Sequence, residues 1–569
     1  MKKGLVFLAL VVIIVASMLI TSCAEEETTA PTVTSQPTVI INQPTTTTTA
    51  PQPTATTTKP PTSTTAPQPT PTAPQPVRGG ILRIITPAGP TVLGGPRGGP
   101  GDLAATFPGM NALLDAAADR SKGNGLEPVL ATSVDEDLAG KRLVIHLRKG
   151  VKFHDGTEMT ADVCLFWHQY TIDTGRFWGL NLFDGMAKID DYTYELRFKS
   201  YSNMLIQNWV WFFPTSMDAF VKGTGGSTDP VVQREWQETN VVGAGPFKLV
   251  EWVRDNHMEW TRFDDYWQKD KGLPYLDGVY YRYIPDAVTA RALMEAGQAD
   301  YWMAATARDQ KELLDKGFKR ISGWVGLVMD IYPNTSDPAS DWNNRDLRYA
   351  LEYALDKAAI AQALGAGLYP PLYQLAPPGE WGYDPNYPER RYDVAKAKEY
   401  LAKAGYPNGY KTTLLIGNDT AAQDAGTAIK GYLDAAGIET TLDIADPGRL
   451  AGLVWGSPQP GLAFYFSGMD ITNLLTYMRW FSTDPFANVR YLGRTEEQKV
   501  IDDEAKSYPD AAGQKIATEK AFKYMNDEAR LIPVYQIPSA SMAQSYVHSQ
   551  QFQQGFVRWQ MELIWMEKH

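Results

Sequence analysis

Several residue types are scarce in this sequence, and their scarcity argues against some classes of fold and function. Its 569 residues include two cysteines, Cys23 and Cys164, which are too few for a disulfide framework. Acidic residues outnumber basic ones by 65 to 53 and no basic patch is visible, which argues against nucleic acid as a partner. No histidine occurs between His257 and His548, so imidazole ligands are scarce and we expect no metal site.

Enzyme motifs are also missing from the sequence. The chain has no H-E-x-x-H, G-x-S-x-G or Walker A pattern. Carboxylates are plentiful, so an Asp/Glu pair of the glycosidase type stays open. We expect no catalytic residue and no cofactor, and a secreted hydrolase stays as the alternative.

The N-terminus has the pattern of an export signal. Lys2 and Lys3 precede an apolar run from Leu5 to Ile20, which is short for a membrane span. The residues Ile-Thr-Ser-Cys that end at Cys23 resemble the bacterial lipobox, so residues 1–22 are predicted to be a lipoprotein signal peptide and Cys23 the lipidated residue. The alternative is an uncleaved anchor with an incidental cysteine. Under both interpretations the protein lies outside the cytoplasm and is tethered to a membrane.

Residues 23–77 are predicted to form a disordered, lipid-anchored stalk. The segment is mostly Thr, Pro, Ala and Gln, and such a composition buries too little apolar surface to offset its chain entropy. A flexible chain of this length reaches on the order of 40 Å, and proline stiffening lengthens that reach. The stalk would let a folded part that starts near Arg78 stand off the membrane.

The stretch from Val241 to Trp267 predicts a β-hairpin. A Gly-x-Gly-Pro turn, in which Gly243 and Gly245 would supply backbone freedom, precedes strands at 247–252 and 258–263. A phosphate-binding loop would need a helix after the glycines, and here a strand follows. The hairpin is therefore interpreted as scaffold.

Other segments predict alternating strands and helices. A helix is expected over 286–297 with Gly297 at its C-terminus, and one amphipathic helix is expected from a cap at Asn343 or Asn344 to Gly365. His154 is expected to hydrogen-bond within its own tight turn, and Cys164 to be a buried thiol.

Several of these segments resemble one protein family. The motifs are GAGPFKLV…RDNHMEW at 243–260, LRKGVKFHDG at 147–156, AGQAD at 296–300 and RDLRYALEYALDKAAI at 345–360. They are similar, and occur in the same order, in the family 5 solute-binding proteins of ABC importers. The resemblance covers roughly residues 78–540. It departs from the family at Ala244, where threonine is usual, and at Val134, where tryptophan is usual.

The resemblance implies an α/β, two-lobed periplasmic-binding-protein fold of the large class II, or cluster C, type. The first lobe would comprise residues 78–330 plus 535–569, with an extra subdomain inserted at about 105–238, and the second lobe residues 331–534. The chain would cross between the lobes near 325–335 and 528–538, and the lobes would close on ligand like a hinged clam.

The same resemblance implies a receptor function outside the cytoplasm. The protein would capture peptides in the cleft and deliver them to the permease and ATPase subunits of an importer, acting as a lipid-anchored monomer. The alternative is a receptor for oligosaccharides or for a metal held by a small organic chelator.

Candidate ligand residues concentrate in the variable segment 462–484. In peptide-binding relatives this region often reads W-x-x-D-Y, and its aspartate takes the peptide α-amino group; Asp470 is the matching position. Ser467 and Ile471 replace the tryptophan and the tyrosine. A solvated loop or cap residue is the other interpretation of Asp470. Aromatic side chains favour ligand pockets and also fill cores. The aromatic candidates for the cleft are Trp209, Trp211, Trp324, Phe466 and Trp480, and Trp455 is a further face for a sugar ring.

Overall fold

The computed structural model describes most of the chain after the predicted stalk. The described residues are 74–93, 105–116, 126–174, 181–207, 212–322, 326–468, 477–478, 481–482, 489–538, 540–549 and 559–567. The predicted signal peptide, Cys23 and nearly all of the predicted stalk lie outside these ranges. Within them, no helix combines the length and the apolar character needed to cross a membrane.

The described part alternates strands and helices. The strands are β1 (Ile81–Thr86), β2 (Leu114–Ala116), β3 (Leu126–Pro128), β4 (Ala131–Asp137), β5 (Arg142–Leu147), β6 (Phe183–Asp190), β7 (Thr193–Phe198), β8 (Phe247–Val253), β9 (His257–Arg262), β10 (Gly278–Tyr283), β11 (Tyr301–Trp302), β12 (Lys319–Ser322), β13 (Leu327–Pro333), β14 (Tyr410–Gly417), β15 (Ile438–Ala445), β16 (Leu462–Ser467), β17 (Ile532–Ile537), β18 (Ala540–Ala543), β19 (Val547–His548) and β20 (Trp565–Met566). The helices are α1 (Ala161–Asp173), α2 (Met204–Gln207), α3 (Met217–Gly223), α4 (Pro230–Thr239), α5 (Ala287–Glu295), α6 (Ala307–Asp315), α7 (Arg345–Tyr353), α8 (Lys357–Gly365), α9 (Val394–Lys403), α10 (Thr420–Ala436), α11 (Pro447–Trp455), α12 (Glu496–Ala505) and α13 (Ala511–Asp527).

Two mixed sheets organise two lobes. The first lobe is built on a seven-stranded sheet of order β12-β18-β11-β1-β10-β9-β8, and it also carries a four-stranded antiparallel sheet of order β4-β5-β7-β6. The second lobe is built on a five-stranded sheet of order β15-β14-β16-β13-β17. The chain passes from the first lobe to the second between β12 and β13, and it returns between β17 and β18. The residue boundaries expected for the lobes, the subdomain and the stalk stay predictions.

Each lobe has its own hydrophobic cores. The described residues form six buried clusters, and every cluster draws its members from one lobe. The four-stranded sheet and α1 enclose a cluster with Ile145, Trp167 and Leu196 at its centre. Because burial of apolar surface is the dominant favourable term in folding, each lobe is stabilised mainly by its own core.

The predicted hairpin is confirmed, but its glycines act differently from expectation. β8 and β9 pair antiparallel, with Phe247 opposite Arg262. Neither Gly243 nor Gly245 has a positive φ. A Cβ on Gly243 would lie 2.1 Å from the carbonyl oxygen of Gly109, and a Cβ on Gly245 would lie 2.3 Å from the backbone nitrogen of Met110. The glycines are therefore needed for close approach of two backbone segments, and not for backbone freedom.

The helix predictions are confirmed in one case and wrong in the other. α5 runs over Ala287–Glu295, and Gly297 follows it with a φ of 67°. The single helix expected up to Gly365 is broken into α7 and α8. The Asp356 side chain accepts a hydrogen bond from the Ala359 N–H, and so it starts a second helix where apolar spacing alone predicts continuity.

The prediction that His154 forms a hydrogen bond within its own turn is wrong. The imidazole is buried, and its Nε2 donates to the carbonyl oxygen of Gly245 at 3.1 Å, 91 positions away, and not within its own turn. The His154 N–H also donates to the Gly243 carbonyl at 3.0 Å. Burial lowers the pKa of His154 to about 4, so the ring is neutral at pH 7. Cys164 is a buried free thiol, as predicted, and burial raises its pKa.

Candidate ligand-binding cleft

Strand directions place a binding edge on the first lobe. β10 and β11 both run parallel to β1, so Thr86, Tyr283 and Trp302 end at the same edge of the sheet. β12 ends at this edge too, because Ser322 pairs with Ala540, where β18 begins. In open α/β sheets, ligands bind in the crevice outside the carboxyl ends of the strands.

The second lobe has a matching edge. β15 and β16 run parallel to β14, and the three strands end at Gly417, Ala445 and Ser467. Ser467 lies opposite Val328 near the start of β13, and Val328 lies opposite Gln536 near the end of β17. Both connections to the first lobe leave from this edge. The carboxyl edges of the two sheets therefore border the crossings, and the cleft between the lobes opens there.

An aromatic group stands at the second-lobe edge. Phe466, the penultimate residue of β16, stacks on Tyr465 with ring centroids 4.5 Å apart and planes at 25°. Trp455 meets Tyr465 edge-on at 5.8 Å. Phe466 and Tyr465 are half-buried: they pack against the lobe's core and keep part of their surface exposed.

A buried carboxyl group holds the end of the same strand. Asp330 on β13 is fully buried, and its Oδ2 accepts a hydrogen bond from the Ser467 Oγ at 2.6 Å. Its Oδ1 has no hydrogen-bond partner among the described residues. Burial raises the pKa of Asp330 well above its usual value, which favours the neutral acid. Ser467 is thus tied into the lobe interior, and Asp330 fixes the direction in which the chain leaves β16.

Most of the predicted site residues lie outside the described ranges. These are Asp470, Trp480, Trp209, Trp211 and Trp324. Phe466 is described and stands at the carboxyl edge of β16, and its contact with ligand stays a prediction. Sequence reasoning missed Asp330. A signal was present, because an aspartate in the otherwise uncharged run LVMDIYP of β13 marks a buried carboxyl group.

A separate cavity of about 340 Å³ lies at the other end of the second lobe. It is lined by Gln374, the loop 382–387 and the α13 residues Glu519, Lys523 and Asn526. Because α13 leads to the start of β17, this cavity lies beside the sheet edge opposite the cleft. No group of three or more His, Cys, Asp or Glu side chains that could hold a metal ion occurs among the described residues.

Comparison with known families identifies the scaffold. The sequence profile of the bacterial extracellular solute-binding proteins, family 5 middle region, matches residues 125–488. This chain belongs to the family 5 solute-binding proteins. The match includes the four-stranded sheet, the hairpin, the first of the two chain crossings and the variable segment that contains Asp470.

Curated relatives of the chain are named glutathione-binding proteins. It is 29% identical over 357 residues to GsiB of Shigella flexneri serotype 5b (strain 8401), a stretch that covers 60% of this chain and 66% of that protein. It is 28% identical over 352 residues to GsiB of Pectobacterium atrosepticum, covering 60% and 65%. The matched stretches therefore span just under two thirds of these relatives.

Solved structures show the same fold. DppA of Helicobacter pylori, solved with the peptide STSA, superposes with a TM-score of 0.73 at 22% identity, covering 86% of this chain and 99% of that one. AppA of Bacillus subtilis, solved with a nonapeptide, gives 0.70 at 20% identity, covering 87% and 100%. The two-lobed α/β periplasmic-binding-protein fold predicted from the sequence is confirmed.

Proposed function

We propose that this protein is the peptide receptor of an ABC importer and that its cargo consists of short peptides such as glutathione. The observation that carries the proposal is the 29% identity to a glutathione-binding protein over 357 residues, on a scaffold whose strand edges form a cleft. The same fold also serves other cargo, since a solved neighbour from Brucella suis, NikA, holds Fe(III)-EDTA. Oligosaccharides and chelated metals are therefore competing outcomes of the test.

Asp470 is proposed to bind the α-ammonium group of the peptide. A carboxylate that meets an ammonium group in a closed, water-poor cleft makes a strong charge-assisted hydrogen bond. The hydroxyl group of Ser467, which stands at the family's usual tryptophan position, donates a hydrogen bond to the Asp330 carboxyl group inside the lobe. The aromatic surface lost at that position is then supplied by neighbours, of which Phe466 is the nearest in the chain. Trp209, Trp211, Trp324 and Trp480 are proposed to contribute further rings.

The membrane attachment belongs to the same proposal. Lipidation at Cys23 and the Thr/Pro-rich stalk would hold the receptor, as a monomer, near the permease and ATPase subunits outside the cytoplasm. Mass measurement of the mature N-terminus tests this part. A diacylglyceryl adduct on Cys23 supports it, and an unmodified or uncleaved N-terminus contradicts it.

Titration calorimetry with defined ligands tests the cargo. Glutathione, di- and tripeptides, their N-acetylated forms, oligosaccharides and chelated Ni²⁺ or Fe³⁺ would each be titrated into the purified protein. Binding of free-amino peptides alone supports the proposal. Binding of sugar or chelate without any peptide response rejects it.

Asp470→Asn separates the ammonium contact from the rest of the cleft. Hydrogen bonds to charged groups contribute roughly 1.5–3 kcal/mol, so affinity for free-amino peptides should fall by about 10- to 150-fold. Affinity for N-acetylated peptides should not change. Asp264→Asn is the matched control, because the Asp264 side chain is 92% exposed on the first lobe. Equal losses for both peptide forms would remove Asp470 from this role.

A further inference from the structure

Asn203 connects the two lobes through residues that belong to neither chain crossing. It follows β7 of the four-stranded sheet in the first lobe and directly precedes the short helix α2. The residue has no solvent exposure, although it stands on a connection between elements. What covers it is the C-terminal end of α12 in the second lobe.

Asn203 makes three hydrogen bonds to the last residue of α12 and the residues that follow it. Its side-chain Nδ2 donates to the carbonyl oxygens of Ala505 at 2.7 Å and Tyr508 at 3.0 Å. Its backbone N–H donates to the carbonyl oxygen of Lys506 at 3.1 Å. The last carbonyl groups of a helix have no partner within the helix and carry partial negative charge. A side chain with two N–H donors is the chemistry that such an end requires.

The contact between Asn203 and α12 is polar and small. Each buried hydrophobic cluster of the described residues stays within one lobe, so apolar burial does not hold the lobes together here. When the lobes separate, water can take over the three carbonyl groups. The contact can therefore form and break without unfolding either lobe.

We propose that Asn203 is a latch residue that stabilises the closed form of the receptor and raises ligand affinity without touching the ligand. A ligand that binds in the cleft between the lobes needs the closed form, and its apparent affinity is reduced by the fraction of molecules that are open. The latch adds to the closed population before any cargo contact is made. The affinity part of this inference rests on the proposed function, whereas the closure part does not.

The size of the effect follows from the two side-chain hydrogen bonds. Each intramolecular hydrogen bond changes an equilibrium by a factor of roughly 2 to 12. Asn203→Ala removes both and should shift the closed–open equilibrium towards the open form by roughly 5- to 150-fold. Asn203→Asp keeps the shape but places carboxylate oxygens against carbonyl oxygens, so it should open the lobes further than alanine does.

Hydrogen–deuterium exchange of the ligand-free, full-length protein measures closure directly. The N–H of residue 203 is protected by the Lys506 carbonyl, and alanine retains this N–H. After correction for intrinsic rates, exchange at residue 203 should rise in Asn203→Ala and rise more in Asn203→Asp. Exchange at the Phe198 N–H, which donates to Lys141 within the first lobe, should not change, which excludes general loosening of the sheet.

Asn240→Ala is the matched control variant. Its Nδ2 also donates to a backbone carbonyl, that of Trp236, but both residues belong to the first lobe. It should leave the exchange at Asn203 and the ligand affinity unchanged.

A mostly open ligand-free protein would already exchange quickly at residue 203. In that case the loss of the latch appears as weaker affinity, that is, a higher dissociation constant, for whichever cargo is bound. Unchanged exchange together with unchanged affinity in Asn203→Ala overturns the latch, whereas faster exchange without peptide binding rejects only the peptide assignment.

Discussion

A buried group of charges in the second lobe gives a sharp test of how this lobe is stabilised. Glu352 is 2% exposed and accepts hydrogen bonds from the Lys357 Nζ at 3.0 Å and the Arg390 Nε at 2.5 Å. Lys357 has no exposure at all. Burial alone would raise the pKa of Glu352, but the two cations outweigh burial and lower it. Glu352→Gln keeps the shape and removes the charge that both cations need.

The expected loss of stability can be bounded from both sides. Removing one partner of a buried ion pair costs roughly 3–5 kcal/mol, because an uncompensated buried charge is left. Lys357 can escape part of this cost by losing its proton, since burial already lowers its pKa and Glu352 is the main group that opposes that shift. Bringing a lysine from a pKa of about 10.4 to neutrality at pH 7 costs about 5 kcal/mol, which sets the ceiling. We therefore expect Glu352→Gln to lower the free energy of unfolding by about 3–5 kcal/mol.

Urea unfolding at pH 7, followed by far-ultraviolet circular dichroism, measures this loss. Adding Lys357→Met to Glu352→Gln should restore part of the stability, because one of the two orphaned charges is gone while that of Arg390 remains. Glu399→Gln is the matched control, since the Glu399–Lys403 pair on α9 is exposed at 58% and 49% and should change stability by less than about 1 kcal/mol. A loss below about 1 kcal/mol in Glu352→Gln would refute the assignment of this cluster as a mutually dependent buried network.

Two further predictions concern the packing of the first lobe. Gly245→Ala should destabilise the protein by roughly 1–3 kcal/mol in urea, because its Cβ would meet the backbone of Met110 and Gly109, whereas Gly431→Ala on α10 meets nothing within 4 Å and should be neutral or stabilising. His154 has a pKa of about 4 in the folded protein and 6.5 as a free side chain, so its contribution to stability is complete above pH 6.5 and is lost as the pH falls towards 4. That contribution should be about 2 kcal/mol smaller at pH 5 than at pH 8. His154→Gln should remove this part of the pH dependence, and an unchanged pH dependence in this variant would contradict the assignment.

Local sequence patterns predicted the strands of the hairpin, but they did not predict the contacts with distant segments that explain why particular residues are needed. The hairpin at 247–262 follows from β-forming residues around a polar break, and both strands were placed to within one residue. The need for Gly243 and Gly245 arises from Gly109, which lies more than 130 positions earlier in the chain. The residues next to the two glycines in the sequence do not indicate this contact with Gly109. The His154–Gly245 hydrogen bond was missed for the same reason.

The broken helix shows a different limit of sequence reasoning. Apolar spacing runs smoothly from Leu347 past Leu355, and neither proline nor glycine marks the break between α7 and α8. The break allows Lys357, the first residue of α8, to reach back to Glu352 on α7. Arg390, from the segment before α9, completes the group. A charge triad assembled from three segments can override periodicity, and single-segment patterns do not contain that information.

The arrangement of apolar and polar contacts bears on how the receptor would work. The buried clusters stay within one lobe each, while the contacts between the lobes include two chain crossings and the hydrogen bonds of Asn203. In such a design a ligand can shift the closed–open balance only by the difference between its interactions in the two forms. Asp330 accepts a hydrogen bond from Ser467, the last residue of β16, and so ties the end of this strand to the interior of the second lobe. Contacts around Asp470 would then determine specificity for the ligand. The contact at Asn203 would raise affinity for every ligand, because it stabilises the closed form without touching the ligand. Changing the first set should alter which cargo binds, and changing the second should weaken all cargo by the same factor.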